Sequence, residues 1–362
     1  MFSINCSTPW ISSHFTGPLA LLIFLGAPLF AQKLPERYIA YAATDSIHVD
    51  GKDTEASWQQ ASWSGLFIDI EGKLKPKYQT QMKMTWDAEF LYFFAKLEEP
   101  HIWGNLKQRD TIIFYNNDFE IFIDPDGDTH NYYEFEMNAL NTVWDLFLTR
   151  PYRNGTIVLD NWDINGLQTA VSIDGTLNDP TDLDRNWSVE IAIPWAVLVE
   201  ASGSKEIPKN TFWRINFSRV NWDHELVNGQ YRRKKDKDGE LLPEYNWVWS
   251  PQYKINMHMP EYWGYVYFAT DSKMRLDDFA IPLDDQIKWH LYQDYNLVRE
   301  SYAQQEATAD IKTQKIQLLG QEISPKLIET NTGWYISVAS PFTGRRLIID
   351  QTGHFSSLPS SQ

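Results

Sequence analysis

The side chains best suited to chemistry lie in residues 117–139, where acidic residues recur at every second position. Alternate side chains of an extended strand point to the same side. We therefore expect Asp118, Glu120 and Phe122 to share one face, with the intervening apolar residues directed to a core. The same alternation places Glu134, Glu136 and Asn138 on one face of the next run, opposite Tyr133, Phe135 and Met137. The two runs predict a hairpin with an acidic face.

A third run, residues 211–220, alternates Arg214, Asn216 and Ser218 with apolar residues. If this strand joins the same sheet, Arg214 is expected to lie over the carboxylates. Guanidinium, carboxylate, amide and hydroxyl groups set among aromatic rings are directional donors and acceptors suited to sugar hydroxyls. The alternative is a solvated sheet face with an ordinary salt bridge.

Paired carboxylates also raise the question of acid–base catalysis. Glu134 and Glu136, two positions apart, would have Cβ atoms about 6.8 Å apart at ~3.4 Å rise per residue. That separation falls within the ~6.5 to 9.5 Å that inverting glycosidases use. Any strand with Glu at alternate positions gives this distance, so the spacing has little specificity. Glu120 is the third candidate acid or base, and we interpret His258 as a structural loop residue.

The acidic turn, residues 124–131, supplies Asp124, Asp126 and Asp128 at alternate positions. Hard oxygen ligands so spaced suit calcium, which binds ~6 to 8 oxygens in loose geometry. The turn is a poor match to an EF-hand loop, because its glycine falls at the fourth position and no glutamate closes it. The alternatives are therefore a structural calcium site and a polar hairpin turn.

The elements that position these residues are short and often alternating apolar runs, broken by Asp, Gly, Asn and Pro clusters. This pattern over residues 38–269 is typical of a mostly β protein, an antiparallel β-sandwich. The predicted strands are residues 79–86, 90–97, 119–124, 132–139, 143–149, 167–173, 187–194, 213–220 and 264–268. Residues 53–61 predict a short helix.

The pattern changes after residue 269. Residues 284–304 carry Ile287, Leu291, Tyr295 and Val298 near helical spacing, which predicts one amphipathic helix. Two strand-like runs follow, at residues 334–338 and 346–349. We therefore interpret residues 270–362 as a short C-terminal α+β extension that packs beside the sandwich.

The N-terminal region holds the one strongly apolar segment, fourteen residues at 18–31. It is shorter than the ~20 residues that a membrane-spanning helix needs. We interpret residues 1–31 as a signal peptide, although no Lys or Arg occurs before residue 33. The prediction is a secreted, periplasmic or outer-envelope protein without a transmembrane segment. The single cysteine, Cys6, lies in this segment.

The net charge and the aromatic content of the chain limit the classes of partner that it is expected to bind. The chain has 362 residues and a formal net charge of -16, which disfavours binding to nucleic acid or to an anionic membrane. Aromatic residues make up 15% of the chain, more than a core of this size needs, so some rings are expected to face a ligand. The basic run RRKK at residues 232–235 lies in a hydrophilic stretch and predicts a solvated hairpin insertion.

Six stretches, taken in order, resemble the carbohydrate-binding family 9-like proteins of secreted bacterial polysaccharide degradation. They are IHVDGKDTEASW (47–58), TWDAEFLYFFAKLEEP (85–100), NDFEIFIDPDGDTHNYYEFEMNALNTVWDL (117–146), WSVEIAIPW (187–195), WRINFSRVNW (213–222) and NWVWSP (246–251). The resemblance spans about residues 38–269. It implies a β-sandwich related to family 9 carbohydrate-binding modules, which hold sugar ends between two tryptophans and carry structural calcium.

The resemblance also implies roles for individual residues. Glu120 matches a glutamate that contacts the sugar, and Ser218 matches the position of an amide that does so. Glu136 stands where the family has an arginine, and the stacking tryptophans fall near Phe114 and Met257. Trp103 or Trp249 would have to replace the missing ring.

We therefore predict non-catalytic binding of an oligo- or polysaccharide in carbohydrate catabolism. The hydrogen-bonding residues are predicted to be Glu120, Glu136, Asn138, Arg214, Asn216 and Ser218, beside a ring from Trp103, Phe114 or Trp249. One alternative is a glycoside hydrolase or lyase that uses Glu120, Glu134 or Glu136. A second is an envelope scaffold that binds another protein through its Trp-rich faces.

Overall fold

The computed structural model describes residues 33–304 and 313–359. The predicted signal peptide, with Cys6, lies outside this range. From Leu34 onward the described residues form one compact unit. No helix within the described ranges is long and apolar enough to cross a membrane.

Fifteen strands precede the long helix. Their bounds are β1 Arg37–Ala42, β2 Ile68–Asp69, β3 Thr80–Trp86, β4 Phe90–Glu98, β5 Asp118–Asp124, β6 Tyr132–Asn138, β7 Val143–Leu148, β8 Val158–Leu159, β9 Gln168–Asp174, β10 Asn186–Pro194, β11 Phe212–Asn221, β12 His224–Val227, β13 Gln230–Arg233, β14 Tyr245–Val248 and β15 Gly264–Ala269. Two short helices, α1 Ala56–Gln60 and α2 Trp195–Leu198, lie among them.

The C-terminal segment begins with the helix α3, Leu283–Ala303. Six strands follow among the described residues: β16 Ile316–Leu318, β17 Gln321–Ile323, β18 Lys326–Thr330, β19 Gly333–Ala339, β20 Arg346–Asp350 and β21 Phe355–Leu358. Strands β18 to β21 form a four-stranded antiparallel sheet.

Thirteen strands form one large sheet with the order β8-β7-β6-β5-β11-β15-β1-β3-β4-β10-β9, and β14 and β2 branch from β11. Every pairing is antiparallel except those of β1, which runs parallel to both β15 and β3. The sheet curls and packs against itself: the rings of Phe93 in β4 and Phe217 in β11, which are not paired strands, lie 5.8 Å apart. The predicted mostly β sandwich is confirmed.

The nine strands expected from the apolar pattern are all present, each within one residue of its predicted ends. The core side of the hairpin is also confirmed, because Phe119, Ile121 and Ile123 lie in the main hydrophobic cluster with the apolar side chains of β3, β4 and β10. Helix α3 buries Ile287, Leu291, Tyr295 and Val298, as expected from their spacing, against the sheet formed by β18 to β21.

The C-terminal segment packs on the acidic turn between β5 and β6. The backbone N–H of Phe355 donates to the Asp128 carbonyl at 3.1 Å. The Thr129 hydroxyl donates to the Gly353 carbonyl at 2.7 Å, and the Lys288 ammonium donates to the Gly127 carbonyl at 3.0 Å. These bonds make the acidic turn one of the contacts between the two segments, beside others such as the Asn296 amide that donates to Glu261 at 3.1 Å.

One contact of this interface is sensitive to pH. His354 Nε2 lies 2.9 Å from Asp128 Oδ2, and this hydrogen bond raises the pKa of His354. A raised histidine pKa stabilises the folded state below about pH 6.5, and the stabilisation is lost as the pH rises through the higher folded-state pKa. Because His354 is partly exposed, we expect an effect below about 1 kcal/mol.

The measurement is the melting temperature from pH 5.5 to pH 8.5 for the protein and for His354→Gln. We expect the difference between the two proteins to shrink as the pH rises. His48→Gln, at an exposed position of the sandwich, serves as the control. Parallel profiles for the protein and His354→Gln would show that the ion pair does not stabilise the fold.

Candidate functional site

A cavity of about 470 Å³ opens on the outer face of β5, β6 and β11, on the side away from the core. We call it the carboxyl pocket, because Glu120, Glu134, Glu136 and Glu244 line it and no Lys or Arg of the described residues does. The other lining residues are Ile70, Ile112, Phe114, Phe122, Trp144, Tyr152, Val220, Asn246, Ile255, Asn256, Met257 and His258.

Strand register explains why the glutamates converge. Glu120 in β5 pairs with Glu136 in β6 on one side and with Ser218 in β11 on the other. Directly paired residues in antiparallel strands direct their side chains to the same face. The shared face expected from alternation is therefore observed. Register also brings Trp144 of β7 onto this face, opposite Glu136.

The glutamate side chains of the pocket are almost fully buried, since Glu120 is 5% exposed to solvent and Glu136 only 1%. Burial raises the pKa of Glu120 to about 7. Burial and the neighbouring Glu120 carboxyl raise the pKa of Glu134 and of Glu136 well above its usual range. With a pKa of about 7, Glu120 is divided between its protonated and ionised forms at neutral pH, so the pocket offers both hydrogen-bond donors and acceptors.

Three carboxyl groups meet at the pocket, two from its lining and one, Asp118, behind it. Asp118, Glu120 and Glu136 each place an oxygen within 4.8 Å of the others. Two of these groups are also held by the backbone, because Asp118 Oδ1 accepts from the Val220 N–H at 3.2 Å and Glu136 Oε2 accepts from the Phe114 N–H at 2.9 Å. Their positions are therefore fixed before any ligand arrives.

Ser218 lies beside Glu120 and is fully buried. Its hydroxyl is close enough to the Glu120 carboxyl to lower the pKa of that group. Within the described part of the chain, however, Ser218 Oγ and Asp118 Oδ2 make no hydrogen bond of acceptable geometry. Neither Ser218 nor Asp118 lines the pocket, so both support its glutamates from behind.

His258 belongs to the pocket wall. Its Nδ1 lies 3.0 Å from the Tyr132 hydroxyl, its Nε2 lies 3.8 Å from a Glu134 carboxyl oxygen, and its ring meets that of Tyr152 at 4.4 Å. Burial and the nearby Arg153 lower the pKa of His258 to about 3, so the ring is neutral. The interpretation of His258 as a structural loop residue is therefore incomplete.

Arg214 does not lie over the glutamates. It pairs with Asp124, at the end of β5 remote from Glu120. Its guanidinium donates to the carbonyls of Trp263 and Glu261 and lies 4.0 Å from the centre of the Tyr265 ring. The expectation that Arg214 covers the carboxylates is wrong, because backbone carbonyls beyond the strand hold it.

Two amides predicted to bind a ligand hold the backbone instead. Asn216 donates to the Ser250 carbonyl at 2.9 Å and accepts from the Ser250 N–H at 3.0 Å. Asn138 donates to the Leu106 carbonyl and accepts from the N–H groups of Leu140 and Thr142. Both side chains are fully buried, and their hydrogen bonds hold neighbouring loops in place.

The predicted rings divide between the pocket and the interior. Phe114 lines the pocket, and so does Met257, at the two positions where the resemblance implies stacking tryptophans. Trp103 is buried and stacks on Tyr231 with ring centres 6.2 Å apart. Trp249 lies in the sandwich core against Phe217. Neither tryptophan lines the pocket.

The position of Trp249 can be tested through its neighbour Gly264. A Cβ at Gly264 would overlap the Trp249 ring. Overpacking of a core commonly costs about 1 to 3 kcal/mol. We therefore expect Gly264→Ala to lower the free energy of unfolding by this amount in chemical denaturation. Gly65→Ala is the control, since a Cβ there meets nothing within 4 Å; equal stability of both variants would contradict the packing.

The pocket contains several residues that the sequence analysis missed. Trp144 follows from strand alternation and could have been found in this way. Tyr152, Glu244, Asn256 and His258 lie outside the long strands of the hairpin, in turns and loops or, for Tyr152, in a short 3₁₀ turn. Local sequence patterns do not indicate where such residues lie, so no signal was available for them.

The acidic turn offers a second group of oxygens. Asp124, Asp126 and Asp128 place carboxyl oxygens within 4.8 Å of one another. Asp124 already accepts from the N–H groups of Gly127 and Thr129, and the Lys288 ammonium lies at the Gly127 carbonyl. Calcium at this turn stays a prediction, and Lys288 brings a positive charge to the same place.

Residues 49–210 match the family model described as Carbohydrate family 9 binding domain-like. This match confirms the resemblance over the segment that carries Glu120, Glu134 and Glu136. It ends before β11, so Ser218 and the loop residues of the pocket lie beyond it. No curated protein matches the chain in sequence.

The solved structures that are similar to the chain include the following three. A family 9 carbohydrate-binding module from Caldicellulosiruptor kristjanssonii in complex with cellotriose has 16% identity and a TM-score of 0.42, and the match covers 68% of this chain and 99% of that one. The same organism's module in complex with glucose has 16% identity and a TM-score of 0.42, covering 66% and 98%. A putative carbohydrate-binding protein from Bacteroides uniformis has 14% identity and a TM-score of 0.48, covering 64% and 99%.

Proposed function

We propose that this chain, whose residues 49–210 match the carbohydrate family 9 binding domain-like model, binds carbohydrate non-covalently in the carboxyl pocket. The observation that carries the proposal is the convergence of Glu120 and Glu136 with the rings of Phe114, Trp144 and Tyr152 in one open cavity. Its volume of about 470 Å³ lies within the ~300 to 1,000 Å³ usual for small-molecule sites.

The chemistry of the lining suits a polyol. A carboxyl group accepts from sugar hydroxyls when ionised and donates to them when protonated. The amides of Asn246 and Asn256 add further donors and acceptors, and the rings offer apolar surface to the C–H face of a sugar. Because a few hydrogen bonds and one or two rings contribute modestly, we expect affinities on the order of micromolar to millimolar.

The absence of Lys and Arg from the pocket lining bears on the class of sugar. A uronate or a sulfated sugar would bring a negative charge into this nearly dry site, where no Lys or Arg of the lining would pair with it. An unpaired buried charge is costly. The proposed ligand is therefore a neutral oligo- or polysaccharide.

The proposal also covers the location of the protein and the process in which it acts. The apolar segment at residues 18–31 supports export, and the family match supports a part in polysaccharide catabolism. A protein of this kind would hold glycan chains at or outside the cell envelope.

A second candidate function is glycoside hydrolysis, favoured by the raised pKa values of Glu120, Glu134 and Glu136 beside a neutral His258. Carboxyls with raised pKa values are suited to act as general acids. Glu120 and Glu136 offer oxygens within 4.8 Å, which is closer to the ~5 to 5.5 Å of retaining enzymes than to the spacing of inverting ones.

The experiment is a soluble-glycan array, followed by incubation of each bound glycan with the protein and analysis of released products. Binding without product supports the non-catalytic function. Steady product release that stops in Glu136→Gln supports the hydrolase. Failure to bind any glycan across the array would refute the proposed function.

A further inference from the structure

His258 and Glu134 face each other across a gap in the wall of the carboxyl pocket. His258 Nε2 lies 3.8 Å from Glu134 Oε1, which is too far for a hydrogen bond. Both residues line the pocket, and Glu134 is only 5% exposed. Among residues 33–304 and 313–359, no hydrogen bond reaches the Glu134 carboxyl. Because buried polar groups are normally paired, we expect the partner of this carboxyl to come from the pocket.

The Tyr132 hydroxyl fixes which nitrogen of His258 carries the ring hydrogen. Its oxygen lies 3.0 Å from His258 Nδ1, and it has no other hydrogen-bond partner in the described part of the chain. The buried hydroxyl therefore donates to Nδ1. Burial and the nearby Arg153 lower the pKa of His258 to about 3, so the ring is neutral and holds one hydrogen. That hydrogen lies on Nε2, the atom that faces Glu134.

Aromatic rings and a backbone hydrogen bond hold the imidazole in this orientation. The ring of Tyr152 meets it edge-on with ring centres 4.4 Å apart, and that of Phe122 does so at 5.7 Å. The Tyr132 ring lies 6.1 Å away. The backbone N–H of His258 donates to the side-chain oxygen of Asn256 at 2.9 Å. The direction of the Nε2–H group is therefore set before a ligand arrives.

A hydroxyl group matches the gap between the two side chains. A hydroxyl donates one hydrogen bond and accepts another, whereas an ether oxygen only accepts and a C–H group does neither. A hydroxyl oxygen about 2.8 Å from both atoms would accept from His258 Nε2–H and donate to Glu134. Glu134 keeps an accepting oxygen in either protonation state, so the match does not depend on its ionisation.

We propose that His258 and Glu134 together bind one hydroxyl group of the glycan, and that they select glycans in which this hydroxyl is free. Tyr132 is a positioning residue that acts through His258. The inference rests on the proposed function and adds a requirement on the ligand. A deoxy or O-methyl group at this position would leave both buried side chains unpaired, which lowers affinity about five- to hundredfold.

The probes are methyl glycosides of glucose, galactose, mannose, xylose and fucose, titrated into the full-length protein, with the monodeoxy derivatives of each that binds. His258→Asn keeps an oxygen to accept from Tyr132 but has no donor at the Nε2 position, and we expect it to bind at least fivefold more weakly. His258→Gln places an amide N–H near that position and should restore part of the affinity. His48→Asn, at an exposed position, is the control and should bind like the unmodified protein.

The monodeoxy derivatives identify the hydroxyl through a cycle of protein and ligand changes. We expect one derivative to bind the unmodified protein at least fivefold more weakly than its parent glycoside, and to bind His258→Asn as well as the parent does. Equal affinity of His258→Asn and the unmodified protein would overturn the inference. Failure of all five glycosides to bind would also overturn it, even where the glycan array supports the proposed function.

A second readout needs no sugar. Nitrogen NMR of the histidine rings, with the His258 signal assigned by its loss in His258→Asn, should show a neutral ring with its hydrogen on Nε2 from pH 5 to pH 8. Tyr132→Phe keeps the ring without the hydroxyl and should give a mixture of both neutral forms. A hydrogen on Nδ1 in the unmodified protein would refute the inference and leave the proposed function standing, whereas an empty glycan array refutes both.

Discussion

Glu120→Gln is expected to lower glycan affinity at least tenfold without unfolding the protein. Glu120 lines the carboxyl pocket, between Glu136 of β6 on one side and Ser218 of β11 on the other. A hydrogen bond that involves a charged group contributes about 1.5 to 3 kcal/mol, which corresponds to roughly a ten- to hundredfold change in affinity. Glutamine keeps the shape of the side chain and removes the charge.

The measurement is affinity electrophoresis or calorimetry with the glycan that the array identifies. Glu206→Gln makes the same chemical change at an exposed position of the sandwich and should bind like the unmodified protein. Circular dichroism confirms folding of both variants. Equal affinity of Glu120→Gln and the unmodified protein would place the sugar outside the carboxyl pocket.

The same substitution is expected to stabilise the protein at alkaline pH. Burial raises the pKa of Glu120 from 4.5 to about 7, so the folded state holds a proton that the unfolded chain releases. A raised carboxyl pKa contributes its full stability below the unfolded value, and this contribution falls as the pH rises from about 4.5 to about 7. The loss is on the order of 3 kcal/mol, because one pKa unit corresponds to about 1.4 kcal/mol.

Chemical denaturation at pH 5 and at pH 8, in the presence of a chelator, measures this effect. We expect the unmodified protein to lose stability between the two values relative to Glu120→Gln. Removal of one carboxyl also lessens repulsion on Glu136 and Glu134, which acts in the same direction. An identical pH profile in both proteins would mean that Glu120 ionises in the folded state as it does in the unfolded chain.

Glu120→Gln is thus expected to weaken glycan binding and to stabilise the fold at alkaline pH. These opposite effects separate a role in binding from a role in folding. A residue kept for stability should destabilise the fold when replaced. Glu120 is instead expected to cost stability at neutral and alkaline pH while supporting ligand binding. Residues that support ligand binding and lower folding stability are typical of functional sites.

Strand alternation in the sequence was sufficient to predict the central part of the site. The alternating runs placed nine strands to within one residue and assigned Glu120, Glu134 and Glu136 to one face. Ser218 followed from the same reasoning once its strand joined the sheet. The sequence could not show that Asn138 and Asn216 use their amides on the backbone, since this depends on loops that only the fold brings near.

The sequence by itself determined the strands, the core side of the hairpin and the identity of its acidic face, because side-chain alternation is a local property of extended chain. The tertiary structure alone decided which rings and loops complete the pocket. It brought His258 to Glu134, directed Arg214 to the carbonyl groups of Trp263 and Glu261, and placed Trp249 in the core. These contacts join residues far apart in the chain, so the way the sheet curls, and not any local pattern, decides them.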